Sequence, residues 1–109
     1  MPIANCIVTP DCQQGSGNLI ELWASESGQP SDHMTINITT STLQFGKKYP
    51  IMATLWLPSI WSNSDVSSLQ VGLAKALARY FDLTPGEIQV VTQVVSSGRV
   101  VENGKEVQW

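Results

Sequence analysis

Twice along this chain a Pro-Ile pair opens a short apolar run, and a second proline follows eight positions after the first: Pro2-Ile3 leads to Pro10, and Pro50-Ile51 leads to Pro58. A unit written twice restricts the fold more than composition does, because each copy is one supersecondary unit that must bury its apolar face against the other. Each copy continues in the same order. Ile3–Val8 is short, apolar and strand-like, and the turn-rich run "TPDCQQGSGN" follows as a loop. In "LIELWASES" Leu19, Leu22 and Trp23 recur at helical spacing, with Gly28 as the stop and Pro30 just beyond. "HMTINITT" alternates, Met34, Ile36 and Ile38 on one side and Thr35, Asn37 and Thr39 on the other, which predicts a half-buried strand. "FGKKYP" links to the second copy.

That copy starts at Pro50. "IMATLWL" is apolar almost throughout, the mark of a central strand. Ser62 and Asp65 have the spacing of a helix cap, where a side-chain oxygen takes up an orphan backbone N–H. Val66, Leu69, Leu73, Ala76, Leu77, Tyr80 and Phe81 then form one continuous helical face. "DLTPGE" breaks this helix, "IQVVTQVV" is a further strand, and Asn103-Gly104 marks the turn of a C-terminal hairpin. "QPSDHMTINI" and "TPGEIQVVTQ" also match in order. The spacing between copies is 48 positions at the first strands and 55 at these prolines. The elements thus read β-α-β twice. With 109 residues against a size prior of roughly 100–200 per domain, the chain reads as one domain, residues 1–109, made of pseudo-repeats 1–48 and 49–109.

Charge bears on partners. Charged residues are 14% of the chain and hydrophobic ones 42%, which points to a surface partly covered by another subunit. The net charge is −3 and the longest basic run is Lys47-Lys48, so neither nucleic acid nor an anionic membrane is an expected partner. No charged stretch leads into an apolar core at the start, and no apolar run approaches the roughly 18 residues of a membrane span. A cytoplasmic location is expected. Cys6 and Cys12 have neither metal nor redox spacing; a reduced protein without metal or cofactor follows.

On these residues the chain resembles the tautomerase superfamily. The segment "PIMATLWLPSIWSNSDVSSLQVGLAKALARYFDLTPGEIQVVTQVV" is similar to a whole subunit of the short 4-oxalocrotonate tautomerase type. The full chain is similar to the double-length group typified by macrophage migration inhibitory factor. There too "MP" begins the chain, a segment like "GQPSDHMTINITTSTLQFG" ends the first unit, and one like "LTPGEIQV" enters the last long strand. The resemblance implies an α+β fold: a tandem β-α-β repeat giving a four-stranded mixed sheet with two helices on one face. It also implies a homotrimer whose C-terminal hairpin reaches toward a neighbour.

The leading proline then has a chemical use. Once Met1 is removed, Pro2 is a secondary amine. Ordinary α-amino groups titrate near about 7.7–8.0, and an apolar pocket disfavours the charged form. Such a base can take a proton next to a carbonyl, or from an enol oxygen, and return it at another atom. An internal proline such as Pro50 cannot. The family resemblance places Ile60 and Trp61 where the short members carry a substrate-binding arginine. Gln89 stands where they carry a second arginine, and where the double-length group has a tyrosine. Gln29 replaces that group's lysine. The candidates that remain are Arg99 in the C-terminal hairpin, Lys47 and Lys48 in the linker, and the lone His33 beside Asp32. Arg99 is the candidate carboxylate binder, since a guanidinium pairs bidentately; His33 reads as surface structure. Trp61 is core or an aromatic wall. Trp23, Trp56 and Trp109 read as packing.

The first reading is a cofactor-independent isomerase: Pro2 as general base for keto–enol transfer on a small α-keto acid or enol, with Arg99, Gln89, Trp61 and Ile60 binding substrate. A second is a trimeric scaffold or small-molecule binder that keeps the fold without the chemistry. Dehalogenation, hydration or decarboxylation with the same proline wants a water-activating acid and cationic clamps, and neither stands at the matching places. A ferredoxin-like domain shares the element order, and strand order separates it.

Overall fold

A computed structural model describes all residues, 1–109. Its elements are β1 (Ile3–Val8), α1 (Leu19–Ser27), β2 (Thr35–Thr40), β3 (Ile51–Pro58), α2 (Asn63–Phe81), β4 (Ile88–Val95), β5 (Val100–Glu102) and β6 (Lys105–Val107), with one 3-10 turn, Pro85–Glu87, before β4. The four long strands form one sheet in the order β2-β1-β3-β4, and β5 and β6 form a separate hairpin. β1 runs parallel to β2, β3 parallel to β4, and β1 antiparallel to β3. Each β-α-β unit is therefore half of the sheet, and the halves meet at the β1–β3 seam. This differs from the ferredoxin-like alternative, in which the first and last strands of the repeats pair differently along the sheet.

The seam obeys the repeat. Ile3 pairs with Trp56 and Val8 with Ile51. A shift of 48 carries Ile3 to Ile51 and Val8 to Trp56, so the first pair maps onto the second. That is the signature of a local twofold between the units. In the outer strands the offset is 53, not the 55 between Pro30 and Pro85: Ile3 pairs with Thr35 and Ile51 with Ile88. The 3-10 turn leaves two residues between Pro85 and β4, whereas four separate Pro30 from β2.

The helices cover one sheet face. Ala4, Cys6 and Val8 of β1 and Ile51, Ala53, Leu55 and Leu57 of β3 are buried together with Trp23, Leu69, Leu73, Ala76, Leu77 and Phe81. Asn18 caps α1, its Oδ1 accepting from the Ile20 and Glu21 N–H groups at 2.9 and 3.3 Å. Asn18 is thus a helix cap at the end of the turn-rich run rather than a plain loop residue. Ser62 caps α2 through the Asp65 N–H at 3.1 Å. The helices touch closely at Gly72, where a Cβ would lie 2.9 Å from the Ser27 backbone. The Trp23 indole donates to the Leu69 carbonyl at 3.0 Å and ties α1 to α2.

α1 has nine residues and α2 nineteen, and the edge strand β2 is covered less than its alternation predicted. Met34 is buried and Ile36 half-buried, but Ile38 is 43% exposed. β3 is likewise one-sided: Ile51, Ala53, Leu55 and Leu57 are buried, while Met52, Thr54, Trp56 and Pro58 remain half-buried on the other face. Strands β1–β4 contain no Asp, Glu, Lys or Arg. The face away from the helices is thus open and uncharged, crossed by an Asn37–Asn5 side-chain hydrogen bond of 2.9 Å.

Candidate functional site

Pro2 precedes β1 and is buried. Its carbonyl accepts from the Thr35 N–H at 3.0 Å, which fixes the start of the chain to the end of the sheet where β3 and β4 finish. Met1, the residue before Pro2, lines a cavity of about 160 Å³; Pro2 itself is not part of the wall. The cavity's walls are Met1, Pro58 and Ile60 on one side and Val100, Val107 and Trp109 of the hairpin on the other, with Glu102 as its one charged side chain.

The hairpin's presence there follows from local rules. Asn103 and Gly104 both take positive φ, 53° and 73°, the geometry of a two-residue turn whose twist matches the strands. That turn sets Val100 opposite Val107 and Glu102 opposite Lys105. Alternation then puts Val100, Glu102, Val107 and Trp109 on one face. The resemblance implied a hairpin reaching toward a neighbour. In the chain itself it folds back over its own sheet end: the Trp109 indole donates to Ser59 Oγ at 2.9 Å, and the Trp109 N–H to Ser97 Oγ at 2.7 Å. Ser59 is held in turn by its N–H to the Val95 carbonyl, 2.9 Å.

The residues expected at the site divide. Ile60, 69% exposed, lines the cavity. Trp61 packs against the core, and its Nε1 is the only buried side-chain nitrogen or oxygen without a hydrogen-bond partner. Arg99 is exposed and outside the lining, although the next residue, Val100, belongs to it. Gln89 is remote within one chain. Ile3 pairs with Trp56, which pairs with Gln93; Gln89 is four residues further down β4, roughly 13 Å at about 3.3 Å per residue. Gln29 bonds Asp65 Oδ1 at 3.1 Å, in the first turn of α2, a structural use. Trp109 and Glu102 join the cavity wall in addition to the residues expected there. Their signal was the alternation around Asn103-Gly104, and Trp109 belongs to the cavity wall rather than to packing alone.

Wider clefts lie elsewhere. One of about 390 Å³ runs along the helices past Glu26, Lys75 and Arg79, where Arg79 and Glu26 form the chain's one ion pair at 2.9 Å. Another, about 240 Å³, sits by Pro50 with Asp11, Asp82 and Glu87. Neither contains the N-terminal residues. Burial pushes the Cys6 thiol up to about 12 from 9.0, so Cys6 is a core thiol and not a nucleophile.

No protein-family model matches the sequence, and no curated protein matches it. Solved structures do. R7 fused 4-OT, a wild-type asymmetric trimer, is 15% identical over 96% of this chain and 95% of that one, with a TM-score of 0.75. Pt0534 inactivated by 2-oxo-3-pentynoate is 11% identical over 96% and 94%, TM-score 0.69. The macrophage migration inhibitory factor of Trichinella spiralis is 17% identical over 96% and 99%, TM-score 0.67. The chain has the fold of these structures over nearly its whole length.

Proposed function

We propose that this chain is a cofactor-independent isomerase that moves a proton between carbon and oxygen of a small keto acid or enol, with Pro2 as the base once Met1 is removed. The observation that supports the reading is a mainly apolar cavity walled by Ile60, Trp109 and Met1, the residue whose removal would free the amine of the buried Pro2. Burial disfavours the charged amine and so favours the free base at neutral pH. In ketonisation the nitrogen takes the enol O–H proton, the carbonyl forms as the C=C electrons take a proton at carbon, and the protonated nitrogen gives that proton back; no electron is gained or lost. Loss of Met1 would both free the amine and enlarge the cavity. Pt0534, inactivated by an alkynyl keto acid, supports a keto compound as the substrate class.

The working form is proposed to be a homotrimer, as in R7 fused 4-OT. The open sheet face supports this. It bears Ile7 and Val91, each 47% exposed, beside Met52 and Trp56, and no charge. In such an assembly Gln89 of a neighbouring copy is proposed to reach the pocket.

One observation favours the alternative of a binder that keeps the fold without the chemistry. Positions where the resemblance implies cationic substrate ligands hold Ile60, Gln89 and a Gln29 engaged with Asp65. The test compares Met1-free protein, verified by intact mass, with Pro2→Ala. Enol ketonisation should fall roughly 10²–10⁴-fold, the usual worth of general acid–base catalysis, with light scattering still reporting a trimer. An unchanged rate on a folded trimer removes Pro2 as base and leaves the binder.

A further inference from the structure

The cavity beside Met1 has one charged side chain, and it is an acid. Glu102 shares its hairpin face with Val100, Lys105 and Val107, and the other lining side chains are uncharged. The chain's six basic residues are placed elsewhere. Arg79 pairs with Glu26, and Lys75 lies on the same helical face. Lys47 stacks over the Tyr49 ring at 5.2 Å, and Lys48 donates to the Gln44 carbonyl, both in the segment leading to the far end of β3. Lys105 is cross-strand from Glu102 but makes no ion pair with it and is outside the lining. Arg99 is exposed and outside it as well.

A carboxylate entering this cavity would lose water without gaining a cationic side chain and would meet the like charge of Glu102. An ammonium, or a neutral group with a donor, would meet a matching acceptor. We propose that the cavity selects small carbonyl compounds with an apolar or aromatic body that are neutral or bear an ammonium group, and that Glu102 discriminates against carboxylates. This rests on the reading of the cavity as the site and narrows its substrate class away from keto acids. The volume, about 160 Å³, is on the scale of a cavity that holds a single benzene ring.

Three probes share a benzyl ketone core: phenylpyruvate, its methyl ester, and 1-amino-3-phenylpropan-2-one. Their affinities for Met1-free protein are read from amide shifts of the hairpin in NMR titrations, with turnover followed separately. The ammonium compound should bind tightest and the carboxylate weakest. Glu102 is exposed, so its effect on either ion is roughly three- to fivefold, the scale of an exposed pair. Glu102→Gln should therefore narrow the ammonium-to-carboxylate ratio roughly tenfold. Glu106→Gln, the same charge change on the opposite hairpin face, should leave it unmoved. The inference is overturned if phenylpyruvate binds as well as its ester, if Glu106→Gln narrows the ratio as much as Glu102→Gln, or if no probe shifts the hairpin. The expected ranking without turnover supports it and defeats only the proton-transfer reading. Turnover with a carboxylate preference defeats it and spares that reading.

Discussion

Trp109 holds the hairpin over the proposed site, and removing it should unseat that hairpin. β5 and β6 have three residues each and form no ladder with the main sheet. A two-stranded hairpin alone is marginal in water, so its position depends on side-chain seating. The Trp109 indole supplies two parts: the 2.9 Å bond to Ser59 Oγ, worth about 0.5–1.5 kcal/mol, and a half-buried apolar ring worth about 1–2 kcal/mol, taken as a fraction of a fully buried aromatic. Trp109→Ala should cost about 2–3 kcal/mol of seating, and every 1.4 kcal/mol is about tenfold. Hydrogen exchange of the Gly98 amide, bonded to the Val107 carbonyl at 3.0 Å, should then quicken roughly 30- to 150-fold. Trp109→Phe keeps most of the ring and loses only the bond, so it should quicken exchange roughly 2- to 12-fold. Ser59→Ala removes the other end of the same bond. The two milder changes should match and should not add when combined. Additive effects, or a Gly98 amide indifferent to Trp109→Ala, would refute the seating argument. A loosened wall should also raise KM more than it lowers kcat.

Two further outcomes test the core. Gly72→Ala gains about 1 kcal/mol of helix propensity but drives a Cβ to 2.9 Å from Ser27 backbone atoms, an overpacking cost of about 1–3 kcal/mol; urea denaturation should show net destabilisation of about 1 kcal/mol, and a more stable variant would contradict the close helix contact. The Cys6 thiol, raised to about 12 from 9.0 by burial, contributes stability that is fully present below pH 9 and lost as pH rises toward 12, because the unfolded chain releases that proton first. Between pH 8 and 10 wild type should therefore lose about 1.4 kcal/mol more than Cys6→Ala, and parallel urea midpoints would show the thiol is not buried.

Local signals were legible and relational ones were not. β1, α1 and β4 begin and end where the apolar period changes, and Gly28 and Asn103-Gly104 punctuate them as turn chemistry demands. Coverage of β2 was not legible: the alternation of Met34, Ile36 and Ile38 says which side faces the helices, not how far a nine-residue α1 extends over it. Gln89 was matched to a site by order along the chain. Its distance from Pro2 depends on the β3–β4 register, which the connecting α2 and the turn at Pro85 set together. Trp109 and Glu102 lay within reach of a pattern argument, since the turn dictates their shared face. That this face would close over Pro58 and Ile60 is a tertiary event with no local sign.

The repeat itself poses the last question, why a twofold sheet should have one site rather than two. Pro2 and Pro50 open equivalent strands at opposite ends of the β1–β3 seam. At Pro2 the carbonyl engages β2 and the hairpin closes an apolar wall over the sheet end. At Pro50 the carbonyl is taken by the Thr9 N–H at 3.0 Å and approached by the Cys12 thiol at 3.6 Å, and the adjoining cleft carries Asp11, Asp82 and Glu87. The first unit has no hairpin after its second strand; residues 41–50 continue into β3 instead. A proton-transfer base needs a free amine and a dry wall. Under the proposed function only the Pro2 end supplies both, so the hairpin that follows β4 is the element that turns one of two equivalent strand starts into a site.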